Sequence, residues 1–273
     1  PQPTTRNPQP SFERQHRPRR RILPAMDKPT THFGYRDVPV AEKKDLVGAV
    51  FSSVASRYDV MNDLMSLGLH RLWRRRFVAC ASVRPGDRGL DLAGGTGDIS
   101  GLMAPLVGDQ GLVVLSDINA EMLVRGRDRM LDEGHSARIA TARINAEALP
   151  FPDRSFDVVT IAFGLRNVTD QPRALAEMRR VLRPGGRALV LEFSEVRQPV
   201  LKPLYDLYSF SVLPLLGRLV AKDEASYRYL AESIRKHPNQ ARLAELMSGA
   251  GFTRVEVRNL LGGIVAIHSG YAS

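Results

Sequence analysis

Between Lys44 and Ala55 the apolar residues Leu46, Val47, Val50, Phe51 and Val54 recur at intervals of three and four, which predicts a surface helix with one buried stripe. The next stretch, SRYDVMNDLMSLGLHRLWRRRFVACA at 56–81, spaces Leu64, Met65, Leu69, Leu72, Trp73, Phe77 and Val78 in the same way, with a break near Gly68. These segments, 44–86, read as a helical cap placed before the first strand. From 87 onward short apolar runs alternate with amphipathic helices, the signature of a parallel α/β sheet. Strands are expected at GLDLA (89–93), GLVVLSD (111–117), within ARIATARI (137–144), at SFDVVTIAFG (155–164) and at PGGRALVLEF (184–193). Helices are expected at 99–107, 119–133 and 173–182, and NAEALPFPD (145–153) reads as a loop. A helical stretch from about 200 to 247 is followed by FTRVEVRNL (252–260) and GGIVAIHSGY (262–271), read as a strand hairpin. The expected organisation is therefore a basic tail at 1–30 and one domain at 31–273. Within that domain the cap is followed by a core at 87–195, a helical lid at 196–250 and a terminal hairpin at 251–273.

The junction after the first core strand, LDLAGGTGD (90–98), holds three glycines in four positions. A bare turn after an apolar strand lets backbone N–H groups come close to a ligand. The dinucleotide pattern G-x-G-x-x-G is incomplete, because Gly95 and Gly97 are followed by Ser100 where the third glycine belongs. A P-loop is excluded, since Asp98 follows Gly97 where a lysine is required. Asp91 and Asp98 frame the turn with carboxylates, which suits a cationic ligand and favours S-adenosylmethionine over a nicotinamide dinucleotide. Asp117 closes the second strand, where an acid can accept the protons of both ribose hydroxyls. Asn145 and Ala146 follow the third strand, where a side-chain amide and a backbone N–H can meet an adenine edge. Asn145 reads equally well as a simple turn former.

Composition narrows the picture less than it first suggests. The formal net charge is +10, but residues 1–25 hold six arginines against one acid, Glu13, so half of that excess lies in the tail. A solvated tail accounts for the charge, and no nucleic-acid partner is expected. An Arg-rich, acid-poor leader also fits a mitochondrial transit peptide, while Met26 offers an alternative start. The single cysteine, Cys80, excludes an internal disulfide, and six scattered histidines give no metal-ligand spacing, so no metal is expected. The longest apolar run, 207–221, is broken by Pro214 and Arg218 and is too short to span a bilayer.

Together YDVMNDLMSLGLHRLW (58–73), LDLAGGTGD, NAEALPFPD, FGLRNVTD (163–170), RVLRPGGRALVLEFS (180–194) and SYRYLAESIRKHP (226–238) closely resemble the ubiquinone/menaquinone biosynthesis C-methyltransferases. The resemblance runs from about Thr31 to Tyr271. It implies a class I S-adenosylmethionine-dependent, Rossmann-like fold with a mostly parallel seven-stranded sheet, and transfer of a methyl group to a ring carbon of a prenylated quinol. It implies that Thr96, Asp117, Asn145 and Ala146 contact the cofactor, with Asp91, Gly95, Gly97 and Ala162 around them. Ala162 and Arg183 depart from the residues common in that family, a serine and a lysine. The expected acceptor side is Arg166 holding a phenolate oxygen, Asn167 and Asp170 orienting it or relaying a proton, and Tyr58, Asp59 and His70 facing the pocket from the cap. Alternative readings are an ion pair of Arg166 with Asp170 and a packed or capping His70. Leu204, Leu207, Tyr208, Val212, Leu215, Leu216 and Leu219 form an apolar band, with Lys202, Arg218 and Lys222 beside it, suited either to core packing or to peripheral membrane contact. The expected setting is cytoplasmic or the inner membrane face, with a quinone-biosynthesis complex and an oligomer left open. The rivals are another small-molecule methyltransferase, an RNA methyltransferase, and a non-catalytic quinone- or cofactor-binding subunit.

Overall fold

The computed structural model describes residues 29–55, 60, 62–63, 66–208 and 224–273. Seven strands form one sheet: β3 (Arg88–Leu92), β4 (Leu112–Asp117), β5 (Ile139–Arg143), β6 (Phe156–Ala162), β7 (Leu182–Phe193), β8 (Thr253–Leu260) and β9 (Val265–Tyr271). Their spatial order is β5-β4-β3-β6-β7-β9-β8. The first five pair in parallel, and β9 runs antiparallel to both β7 and β8. All seven lie where the alternation of strands and helices placed them, and β8 and β9 pair as the expected hairpin. The core strands are apolar on successive residues because both faces are covered. In β7, Leu189, Leu191 and Phe193 pack on one side while Ala188 and Val190 pack on the other.

Helices α3 (Asp98–Val107), α4 (Ala120–Asp132), α5 (Gln171–Val181) and α8 (Gln240–Gly249) cover the sheet, preceded in the chain by α1 (Val40–Val54) and α2 (His70–Ala81). Between them run α6 (Leu201–Leu207) and α7 (Glu224–Lys236). The edge strand β8 carries exposed Arg254, Glu256 and Arg258, charges that discourage pairing with another chain. A small hairpin, β1 (Thr30–Phe33) with β2 (Arg36–Pro39), precedes α1 and has no counterpart in the strands expected from the pattern. Its stacking of Phe33 on Tyr229 of α7, with ring centroids 4.1 Å apart, ties the start of the domain to the helices near its end. The apolar band expected to meet a membrane falls largely at 209–223, outside the described residues. Among the described residues no helix is long and apolar enough to cross a membrane.

Candidate active site

A cavity of about 290 Å³ lies outside the carboxyl ends of β3, β4 and β6, the place where open α/β sheets bind ligands. Gly95, Asp117, Asn145, Ala146 and Ala162 line its sheet side. Gly95 and Gly97 both have positive φ, 55° and 86°, so the turn into α3 needs the freedom of glycine. Two residues with a Cβ share that left-handed backbone at the cavity wall: Ala93 after β3 (φ 49°) and Phe163 after β6 (φ 56°). Strain of this kind persists where surrounding bonds hold it. Here Gly94 N–H donates to the Ser116 carbonyl (2.8 Å) and Phe163 N–H to the Leu191 carbonyl (2.7 Å).

Asp117 is 9% exposed. Its two carboxylate oxygens accept from Gly95 N–H (3.0 Å) and Asn119 N–H (2.8 Å), which leaves lone pairs for hydroxyl donors in the cavity. Burial pushes its carboxyl up from the usual range against these hydrogen bonds. The Thr96 hydroxyl oxygen is buried with no partner in the protein. Asn145 is a turn former, its Oδ1 accepting from Glu147 N–H (3.1 Å), and it also lines the cavity.

The carboxylate frame inferred around the glycine turn is corrected by the structure. Asp98 is held by Arg74 (2.7 Å) and Arg129 (2.8 Å), and although burial raises its pKa, these arginines outweigh that effect and keep it below the usual value. Asp91 is 0% exposed, receives hydrogen bonds from Ser100 Oγ (2.8 Å) and Thr160 Oγ1 (3.0 Å), and is not part of the cavity wall. Neither carboxylate therefore offers its charge to a ligand directly. Ser100, the residue that breaks the dinucleotide pattern, is there to hydrogen-bond Asp91.

Burial pushes Asp91 up to about 7, from an ordinary value of 3.8. The folded protein therefore binds this proton more tightly than the unfolded chain. The associated stability is fully present below about pH 4 and is lost as pH rises through about 7. Asp91→Asn is neutral at every pH, and the two hydroxyls can reorient to serve the amide. The variant is expected to be more stable than the parent by about 2 kcal/mol at pH 8, with the difference gone near pH 4. Urea titrations at the two pH values check this; equal stability at pH 8 contradicts it.

Features that the sequence pattern did not reveal close the other side. Val47, Gly48 and Phe51 of α1 form the opposite wall, so this helix covers the cavity as well as packing on the core. Asn119 caps α4 through Glu121 N–H (3.0 Å) and Met122 N–H (3.1 Å). Its Nδ2 also donates to the Gly48 carbonyl (3.2 Å) and Ser52 Oγ (3.1 Å), fastening α1 to the edge of β4. Lys43, 1% exposed, donates to the Val168 carbonyl (3.3 Å) and fastens the same helix to the loop after β6. The D-x-N spacing of Asp117 and Asn119 is a legible cap signal, whereas the reach of Asn119 to α1 depends on tertiary structure.

The expected acceptor residues are not all brought together. Asn167 lines the cavity, and its Oδ1 accepts from the Tyr229 hydroxyl (3.0 Å). Arg166, in the short 3₁₀ turn Leu165–Asn167, faces away: its Nη1 lies 3.0 Å from Glu192 Oε2 and also donates to the Phe163 carbonyl. Glu192 Oε1 also accepts from the Arg166 backbone N–H (3.1 Å). Arg166, expected to hold a phenolate oxygen directly, instead makes a buried ion pair, and its partner is Glu192 rather than Asp170. Asp170 caps α5 by accepting from Arg173 N–H (3.0 Å), which accounts for its place in the sequence. His70 is 4% exposed and absent from the cavity wall, with Nδ1 2.8 Å from Ser66 Oγ. Burial, then Arg74 and Arg71, lower its pKa. Tyr58 and Asp59 lie outside the described residues.

Comparison with known proteins agrees with this geometry. The fold is shared with a SAM-dependent methyltransferase of Aquifex aeolicus (TM-score 0.58, 15% identity, 79% of this chain and 98% of that one). A Thermotoga maritima SAM-dependent methyltransferase gives a TM-score of 0.57 at 20% identity, covering 82% and 99% of the two chains. In sequence, a Xanthomonas campestris protein named ubiquinone/menaquinone biosynthesis C-methyltransferase UbiE is 63% identical over 242 residues, 89% of this chain and 96% of that protein. The protein of the same name from Methylococcus capsulatus is 61% identical over 246 residues, 90% and 99% of the two. The family model matches residues 38–272, from β2 through α1 and the cavity to the end of β9, and the chain belongs to the ubiE/COQ5 methyltransferase family.

Proposed function

We propose that this protein transfers a methyl group from S-adenosylmethionine to a ring carbon of a prenylated quinol in respiratory quinone biosynthesis. The observation that carries the reading is the family membership of a chain whose cavity sits at the carboxyl end of the sheet with Asp117 on its wall. The residues present fit that cofactor. Asp117 has free lone pairs for a ribose diol, the orphaned Thr96 hydroxyl lies in the glycine turn behind the wall, and Asn145 and Ala146 line the cavity where they would meet an adenine edge. When bound, S-adenosylmethionine supplies an activated methyl group whose departing thioether is neutral.

The protein's task is then alignment and control of protons. A quinol ring carbon becomes nucleophilic as the adjacent hydroxyl loses proton density, and the ring proton leaves after methyl transfer. Asn167, fixed by Tyr229, stands at the cavity wall next to Ala162 and Phe163, where an acceptor ring can be oriented. The wall contributed by α1 excludes water from the reacting centre. A cytoplasmic enzyme working at a membrane face is the setting proposed, supported by the partition of prenylated acceptors into lipid.

The assay incubates a demethylmenaquinol and a 2-polyprenyl-6-methoxy-1,4-benzoquinol separately with protein and S-adenosylmethionine under reducing conditions. Mass spectrometry is expected to show a gain of one methyl on at least one acceptor, located on a ring carbon by fragmentation. Cofactor binding without methylation of either quinol would reject the proposal and favour a different acceptor or an assembly role.

A further inference from the structure

Helix α2 packs on β7, and a second cleft, of about 320 Å³, lies between this helix and the edge strands β8 and β9. The strand register explains its floor. Arg187 of β7 pairs with Tyr271 of β9, and the next two residues on that face of β9, Ser269 and Ile267, pair in turn with Glu256 and Arg258 of β8. Directly paired residues point to the same side of a sheet, so all six side chains share the face on which α2 lies. The helix turns Trp73, Phe77 and Val78 into the core and presents Arg76, Ala79 and Cys80 to the cleft, where the two small side chains leave room. The cleft is distinct from the candidate active site. Arg187 pairs with Val158, which precedes Ala162 on the cavity wall by a strand distance of about 13 Å at 3.3 Å per residue.

The polar lining of this cleft is dominated by donors. Arg76, Arg187 and Arg258 reach it from three different elements, with the Ser269 and Tyr271 hydroxyls beside them. Arg187 Nη2 donates to the Ser82 carbonyl and lies 4.0 Å from Asp87, but its Nε is buried without a partner. Arg76 is exposed and enters no ion pair among the described residues. The acid on the wall, Glu256, is already engaged by Arg258 at 3.3 Å. Three guanidinium groups against one carboxylate leave the cleft cationic, and a buried N–H without an acceptor calls for an anion. Guanidinium forks bind phosphate by paired N–H···O bonds, and the terminal oxygens of a phosphate accept from several sides at once, which suits donors arriving from three elements. We propose that Arg76, Arg187 and Arg258 form a binding site for a phosphate ester, separate from the cavity for the methyl donor. The volume suits a small ligand larger than the phosphate itself. Two sources carry this chemistry, a soluble phosphorylated metabolite and the headgroup of an anionic lipid. The site stands independently of the quinol reading.

Cys80, the single cysteine of the chain, reports on occupancy because it lines the cleft, with its Sγ 3.7 Å from Arg258 Nη1. The test follows alkylation of Cys80 by iodoacetamide, a neutral reagent, by mass spectrometry at constant ionic strength. The probes are glycerol phosphate, vesicles of phosphatidylglycerol and, as a control, vesicles of phosphatidylcholine. Glycerol phosphate or the phosphatidylglycerol vesicles are expected to slow the reaction, and phosphatidylcholine is not. Protection by glycerol phosphate assigns the soluble source, whereas protection by phosphatidylglycerol vesicles alone assigns the lipid. Arg76→Gln is expected to raise the half-protecting concentration about tenfold, the effect of one charge-assisted hydrogen bond, with thermal stability unchanged. Arg187→Gln is expected to raise it further, and the Arg76 variant decides the matter if loss of the bond to Ser82 unfolds the other. Rates are compared with and without probe within each protein, because removing a neighbouring cation alters the reactivity of the thiol itself. No protection by either phosphate probe, equal protection by phosphatidylcholine, or undiminished protection in the variants overturns the site. Methyl transfer is no part of the readout, so failure of the quinol reading leaves this result standing.

Discussion

Asp117→Ala is expected to weaken S-adenosylmethionine binding by at least about 100-fold. The carboxylate combines a support role with a recognition role. It holds Gly95 N–H and Asn119 N–H, and it is the charged acceptor at the cavity wall toward which a ribose diol can donate. A hydrogen bond to a charged group contributes about 1.5–3 kcal/mol, and losing two to the ligand corresponds to two or more orders of magnitude in affinity. The same substitution releases the glycine turn and the start of α4. Asp117→Asn separates the effects, since its amide oxygen keeps one acceptor for the backbone while charge and one acceptor are lost. Calorimetric titration with S-adenosylmethionine is expected to rank the parent tightest, Asn next and Ala weakest, with thermal stability falling less for Asn than for Ala. Unchanged affinity in the Asn variant would show that the ribose is held elsewhere.

Asp117 was legible in the sequence because its signal is local: an acid at the end of an apolar strand, a fixed distance after a glycine turn. The same holds for Gly95, Asn145, Ala146 and Ala162, each within three residues of a strand end and each found on the cavity wall. The inner strands of the sheet were legible for a similar reason, since burial on both faces leaves largely apolar runs, while the more exposed edge strands β5 and β8 were read from their place in the alternation. The β1–β2 hairpin was not, because its four-residue strands are mixed in polarity and half exposed. What failed was inference from charge. Asp98 looked available to a ligand until Arg74 and Arg129, 24 and 31 positions away, were found against it. Arg166 looked available until β7 brought Glu192 beneath it. Ion pairs between distant positions leave no periodic trace in one sequence, so the strongest electrostatic features of this site are the ones that the pattern could not show.

Arg166→Ala is expected to lower stability by about 3–5 kcal/mol and to abolish measurable turnover, but the second effect alone says little about chemistry. Removing one member of a buried ion pair strands the other, here Glu192 at 1% exposure, and the fold around Asn167 and Tyr229 then relaxes. The informative comparison is with the double variant Arg166→Met, Glu192→Met. Replacing both charges by apolar side chains of similar length is often neutral for stability, so the double variant is expected to recover most of the loss caused by Arg166→Ala. If Arg166 acts only by holding the turn, turnover returns with the fold. If its Nε–H also serves the acceptor ring, the double variant folds and binds S-adenosylmethionine normally yet methylates at least about 100-fold more slowly. The place of Arg166 behind the cavity wall, with its Nη1 and backbone N–H both held by Glu192, predicts the first outcome. Chemical denaturation, cofactor titration and turnover on the three proteins together distinguish support of the site from action within it.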